Sequence, residues 1–133
     1  MRVLLADGRA QVRSAFHILL GQEAELILVS DVDDARNLPA AIDATQPDVV
    51  LLDWELPHLV GPRMLVTLRS LFPELQVIVL SCQLENKHVA LISGADAFVS
   101  KIDPPDHLLE LLRYKASELA SQLKPEVSGV VSR

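Results

Sequence analysis

One cysteine, one tryptophan and one tyrosine are all that this 133-residue chain has of those types, and its acids outnumber its bases by 18 to 12. The single cysteine, Cys82, excludes an internal disulfide and fits a reducing compartment. Aromatics make up only 4% of the residues, so the core must be built from Leu, Val, Ile and Ala, which suits α/β layers. Apolar runs are short, far below the roughly 20 residues that span a bilayer. A net charge of −6 argues against this segment holding nucleic acid by itself, because phosphate binding needs a basic surface. His17, His58, His88 and His107 show no metal-ligand spacing with one another or with Cys82, which argues against zinc. No G-x-G-x-x-G or Walker pattern occurs, and the loop Asp7–Arg13 lacks a Gly- or Ser/Thr-rich phosphate cradle, so a flavin or nucleotide binder is not supported. The opening Met1–Asp7 turns acidic too soon for a signal peptide and reads as a first strand, which makes a cytoplasmic location the expectation.

What is present is alternation. Short apolar runs recur at Val3–Ala6, Leu26–Val29, Val49–Leu52, Val77–Leu80 and Ala97–Val99. Between them the apolar residues take helical spacing. Val12, Ala15, Phe16, Leu19 and Leu20 form one stripe stopped by Gly21, and Met64, Leu65, Leu68 and Phe72 form another stopped by Pro73. Leu108, Leu111, Leu112, Leu119, Ala120 and Leu123 mark a long last helix that opens after Asp103-Pro104-Pro105. Shorter helices are expected near Leu38–Thr45, with Pro39 in the first turn, and near Asn86–Ile92. Such strand–helix alternation predicts a doubly wound (βα)5 α/β domain, a five-stranded parallel sheet with helices on both faces. The domain should occupy residues 1–121, and residues 122–133, with Pro125 and Gly129, read as a tail or the start of a linker.

The run Val49-Val50-Leu51-Leu52-Asp53 carries the most information. Consecutive branched aliphatics suit a strand buried on both faces, and an acid at its carboxyl end sits where open α/β sheets place their ligands. Taken alone, Asp53 has a lesser alternative as a cap for the next helix. The other strands also end in polar residues: Asp7, Ser81 and Lys101. Two carboxylates, a hydroxyl and an ammonium on one rim suit phosphoryl transfer to a carboxylate. A divalent cation held by the acids would neutralise charge, and Ser81 and Lys101 would grip phosphoryl oxygens. Mg²⁺ is the expected ion, since it needs only one or two carboxylates beside waters and phosphate oxygens.

With these residues in order, the chain resembles the receiver domain of two-component response regulators. Val3-Leu4-Leu5-Ala6-Asp7 is similar to that family's first strand with its acidic tip. Val49–Asp53, followed by Leu56-Pro57 and Gly61, resembles the phosphoacceptor strand and loop. Val77–Ser81 resembles the fourth strand, and Gly94–Lys101 the segment ending in the site lysine. The resemblance covers residues 2–121, and having all of these in register makes it specific. It implies a flavodoxin- or CheY-like fold with strand order 2-1-3-4-5. It also implies that Asp53 is the phosphoacceptor, that Ser81 and Lys101 bind the phosphoryl group, and that Asp7, Asp53 and the Glu55 backbone carbonyl hold Mg²⁺. Phe98 falls at the switch aromatic, and Trp54, Cys82 and Gln83 at the mouth of the site. The implied partner is a histidine kinase or phosphotransfer protein, with partner binding or homodimerisation switched through the face of helix 4, strand 5 and helix 5. The protein would signal rather than catalyse, and would control transcription through a separate DNA-binding output domain like those of the helix-turn-helix relatives it most resembles.

The chain also departs from that pattern. Gly8 stands where the family has a second acid, which removes a metal ligand; the Glu55 side chain is a candidate replacement. If Glu55 does not replace it, the chain is expected to act as a phosphorylation-independent interaction or dimerisation module. Ile102 follows Lys101 where proline is frequent, so a cis peptide is not expected there. Cys82 follows Ser81 where a very small residue is usual; it reads first as a partly buried, inert thiol, and otherwise as one that slows phosphoryl access or senses redox state.

Overall fold

Strands and helices alternate without exception through residues 1–123, which are the residues this computed structural model describes. The order is β1 (Arg2–Ala6), α1 (Ala10–Gly21), β2 (Ile27–Val32), a 3-10 turn (Ala35–Asn37), α2 (Leu38–Thr45), β3 (Val49–Asp53), α3 (Gly61–Leu71), β4 (Gln76–Ser81), α4 (Asn86–Ile92), β5 (Ala97–Ser100) and α5 (Pro105–Leu123). All strands are parallel and lie in the order β2-β1-β3-β4-β5, as expected. Parallel strands need helical crossovers, and those crossovers cover both faces of the sheet.

The period-2 alternation of side chains divides the core into two. Leu4, Ala6, Val50, Leu52, Val77 and Val79 point to one face and pack with Leu38 and Ile42 of α2, Leu65 and Leu68 of α3 and Ala90 of α4. Val3, Leu5, Val49, Leu51, Ile78 and Leu80 point to the other and pack with Leu20 of α1 and Leu108, Leu109, Leu112 and Ala116 of α5. β3 is buried at every position because it pairs on both edges and is covered on both faces.

Element boundaries follow from local chemistry. Pro62 and Pro39 fall in the first turns of α3 and α2, where no backbone N–H is required, and α5 begins at Pro105. α2 ends on Gln46 in the left-handed region (φ 50°). Gly94 turns the chain into β5 at φ 120°, and its carbonyl accepts from Arg69 Nη2 at 2.9 Å. Arg69 also donates to the Leu75 carbonyl and to Asp96, whose carboxylate accepts from Val77 N at 2.7 Å. This clamp ties α3 to the amino ends of β4 and β5, opposite the strand tips.

Three details differ from the sequence reading. β2 runs Ile27–Val32 rather than Leu26–Val29: it is an edge strand, so the ladder continues through Ser30 and Asp31 after the apolar run ends, with a register shift opposite Val3 and Leu4. In α1 only Leu20 is fully buried; Val12, Phe16 and Leu19 are half-covered and Ala15 is exposed. Finally, α5 continues through Leu123, two residues into the segment read as a tail; the rest of that segment, residues 124–133, lies outside the described residues. No described helix is long and apolar enough to cross a membrane.

Candidate functional site

The tips of β1, β3, β4 and β5 bring the expected residues to one rim. Asp7 follows β1 and is fully buried, and Asp53, the last residue of β3, is 3% exposed. Lys101, just past β5, reaches between them: its Nζ lies 2.8 Å from Asp7 Oδ2 and 3.0 Å from Asp53 Oδ1. Its backbone N–H donates to the Ser81 carbonyl at 2.9 Å, which fixes the loop that delivers it. The Arg9 guanidinium, largely exposed, also lies 3.9 Å from Asp7 Oδ1. Lys101 and Arg9 against Asp7, Asp53 and the Glu55 carboxylate at the cavity wall leave the rim net negative, the condition that draws in a cation. Asp53 is therefore no helix cap; α3 starts at Gly61, with Val60 before it.

Each acid is held in place. Asp7 Oδ1 accepts from Arg9 N at 2.9 Å, and the Asp7 carbonyl accepts from Arg13 Nη1 at 3.0 Å. Asp53 Oδ1 accepts from Glu55 N at 3.0 Å as well as meeting Lys101, which leaves Oδ2 outside both contacts. A cavity of about 400 Å³ opens above, lined by Gly8, Arg9, Asp53, Glu55, Pro57, Cys82 and Gln83. Ser81 is fully buried.

The Glu55 side chain faces Ser81. Its Oε2 accepts from Ser81 Oγ at 3.0 Å and from Asn86 Nδ2 at 3.4 Å. Asn86 Nδ2 also lies 3.2 Å from Ser81 Oγ, and Gln83 N donates to Ser81 Oγ at 3.0 Å. Asn86 was not singled out from sequence; its signal is an amide opening α4, just beyond a strand tip that must satisfy its own hydroxyl.

Gly8 has a physical reason. A Cβ there would stand 2.7 Å from Pro57 Cδ and 3.0 Å from Cγ, so the proline ring fills the space beside the missing acid. Pro57 is held in turn: its carbonyl accepts from Ala35 N at 2.9 Å, and His58, at φ 63°, places Nδ1 2.8 Å from Asp34 Oδ2. Arg36 grips the same carboxylate at 3.0 Å, and its side-chain and backbone donors, with help from His58, hold Asp34 well below the usual carboxylate range.

The aromatic residues flank this centre. Trp54 donates its backbone N–H to the Leu80 carbonyl at 2.8 Å, and its indole lies over Gly61, where a Cβ would come within 2.3 Å of the ring. Phe98 on β5 is half-buried against the α2, α3 and α4 side of the core. Cys82 is a free, exposed thiol at the cavity wall rather than a partly buried one. The peptide bonds among the described residues are all trans, Lys101–Ile102 included. His17 is exposed on α1 and pairs with Asp31 at 2.6 Å.

As a metal site the donor set is small. Among the described residues no three His, Cys, Asp or Glu side chains gather into a metal-binding group. Asp7 and Asp53 supply two carboxylates, the upper end of what Mg²⁺ ordinarily takes beside waters and phosphate oxygens, so the residues fit a weakly held Mg²⁺.

Comparison with known proteins agrees with this architecture. The family model described as the response regulator receiver domain matches residues 3–113. The transcriptional regulatory protein YhcZ of Bacillus subtilis, itself uncharacterized, is 26% identical over 131 residues, covering 96% of this chain and 61% of that protein. The DNA-binding transcriptional activator DevR/DosR of Mycobacterium tuberculosis is 30% identical over 103 residues, covering 76% of this chain and 48% of the relative. The chain thus spans about half to three-fifths of the length of these relatives. Among solved structures, a LuxR-family two-component response regulator from Aurantimonas sp. SI85-9A1 superposes with a TM-score of 0.80 at 21% identity, over 88% of this chain and 85% of that one. The receiver domain of the response regulator NarL from Mycobacterium tuberculosis gives 0.78 at 24% identity, over 87% and 95%.

Proposed function

Because the chain belongs to the receiver-domain family of response regulators, we propose that it is phosphorylated on Asp53 by a histidine kinase or a phosphotransfer protein in the cytoplasm. The observation that carries this reading is Lys101 Nζ lying between Asp7 and Asp53 at the rim of the sheet. Asp53 Oδ2, outside the contacts made by Oδ1, is the nucleophile. It forms the bond to phosphorus as the donor's N–P bond breaks, and the donor imidazole keeps the electron pair. Lys101 then turns its ammonium from the carboxylate to a phosphoryl oxygen, and Ser81 offers its hydroxyl proton to another. Asp7, Asp53 and the Glu55 backbone carbonyl would hold Mg²⁺, which when bound would neutralise charge on the phosphoryl oxygens. Cys82 and Gln83 at the cavity wall set access to the site, and Trp54, expected beside them, packs its indole over Gly61 instead of lining the cavity.

Phe98 on β5 joins this rim to the α4–β5–α5 face, whose altered shape changes partner binding or dimerisation. The names of the relatives support transcriptional control, exerted through a separate DNA-binding region. A second reading rests on Gly8 and Pro57. With the second acid's place filled by the proline ring, Mg²⁺ is bound too weakly for efficient phosphorylation, and the fold acts as an interaction or dimerisation module.

Trp54 gives the test, since it adjoins Asp53 and its indole rests on Gly61. Its fluorescence is followed while Mg²⁺ is titrated and beryllofluoride, a phosphoryl mimic, is added, with Asp53→Asn as control. A saturable change in wild type that the control lacks is expected. No change up to tens of millimolar Mg²⁺, with the fold intact by circular dichroism, establishes the second reading instead.

A further inference from the structure

The proton on Ser81 Oγ has two claimants. A hydroxyl carries a single O–H donor, and here it is directed at Glu55 Oε2, 3.0 Å away, with a longer alternative at the Gln83 carbonyl, 3.5 Å away. A phosphoryl group on Asp53 would bring three strong acceptor oxygens to the same rim. Ser81 cannot serve both.

Resting on the reading of Asp53 as phosphoacceptor, we propose that the Glu55 carboxylate is an internal stand-in anion. It holds Ser81 and Asn86 in the unmodified chain and must be expelled when Asp53 is phosphorylated. Glu55 is thus a positioning residue that couples the chemistry on β3 to the first residue of α4.

Three features carry this. First, the Glu55 carboxylate is met by both the Ser81 hydroxyl and the Asn86 amide, whose own separation of 3.2 Å closes a triangle. Second, the Glu55 main chain is anchored beside the acid it answers to, its N–H donating to Asp53 Oδ1 at 3.0 Å, while its side chain is free to turn. Third, a phosphoryl group carries close to two negative charges, which repel a carboxylate in the same cavity and compete for its donors at once. Expulsion then strips Asn86 of its anionic partner. α4 is poorly placed to resist the loss, as only Ala90 of its seven residues is fully buried. In this scheme phosphorylation releases a tether that the resting chain already has.

The test uses ¹⁵N-labelled full chain. Without metal or mimic, Glu55→Gln should shift the Asn86 side-chain amide and the Gln83 backbone amide, and leave the amides of the Arg69–Asp96 clamp unmoved. Beryllofluoride with Mg²⁺ should then bind Glu55→Gln roughly three- to tenfold more tightly than wild type, the range for a partly solvent-screened like charge. In wild type, beryllofluoride should shift Asn86 in the direction that the substitution does. Ser81→Ala, which removes the hydroxyl but keeps the carboxylate, should leave Asn86 held by Glu55 and displace its amide less than Glu55→Gln does. An unmoved Asn86 amide in Glu55→Gln overturns the proposal, as does equal beryllofluoride affinity in wild type and Glu55→Gln. If beryllofluoride binds neither protein, the phosphoacceptor reading fails with the displacement step, while the amide shifts separately report whether the Glu55 tether exists.

Discussion

Restoring the acid that this rim lacks should damage the protein before it helps it. Gly8→Asp places a Cβ 2.7 Å from Pro57 Cδ, and the obstacle is a ring fused to backbone that is itself bonded to Ala35. Neither partner yields easily, so the substitution behaves as overpacking, with a typical cost of 1–3 kcal/mol. The new carboxylate also adds charge beside Asp7 and Asp53, which share one ammonium. We expect a loss of about 2 kcal/mol in EDTA, roughly a 6 °C fall in melting temperature for a domain of this size. Mg²⁺ should return part of it, since a ligand at about ten times its Kd stabilises by about 1.4 kcal/mol. The assay is urea unfolding of wild type, Gly8→Asp, Pro57→Ala and the double variant, each in EDTA and in Mg²⁺. Because the clash lies in the proline ring, the two substitutions should couple by at least about 1 kcal/mol in favour of the double variant. If Gly8→Asp alone is as stable as wild type in EDTA and shows no coupling to position 57, the packing explanation for Gly8 is wrong.

Lys101→Met should leave Asp7 and Asp53 buried without their shared counter-charge and cost about 3 kcal/mol at pH 7, measured by urea unfolding. Asp34 gives a pH prediction: its folded-state pKa is depressed, chiefly by Arg36, so its contribution is fully present above the unfolded carboxylate range and is lost as pH falls. The stability gap between wild type and Asp34→Asn should therefore be constant above about pH 5 and close toward pH 2; a gap that widens in acid would refute this.

Where burial is two-sided, the fold was open to reading. β1, β3 and β4 are covered on both faces, so each appears as an unbroken apolar run, and the residue that ends the run is the residue at the rim. That is why Asp7, Asp53 and Ser81 could be read as one rim, whereas Lys101 follows the short, half-buried edge strand β5 and rests on its order after the other strands. The carboxyl end of β2 is not visible as an apolar run because this edge strand continues its ladder through Ser30 and Asp31. In α1, Ala15 has helical spacing yet faces outward, since spacing gives a stripe but not how much of it is covered. Contacts between loops were the least accessible. That Pro57 occupies the flank of Gly8, and that Glu55 turns to Ser81 and Asn86, depends on how two chain-distant loops meet, and no local pattern encodes that.

The indole of Trp54 resting on Gly61 imposes an order on change. A side chain at position 61 would begin 2.3 Å from the ring, so even alanine forces the Trp54 indole to swing out of its place. The reverse order is open: a smaller residue at 54 leaves Gly61 acceptable, and position 61 can then grow without that displacement. Substitution histories through this loop therefore favour one order, with position 54 moving first. A random library varying both positions should return enlarged residues at 61 far more often in clones that have lost the tryptophan than in clones that keep it.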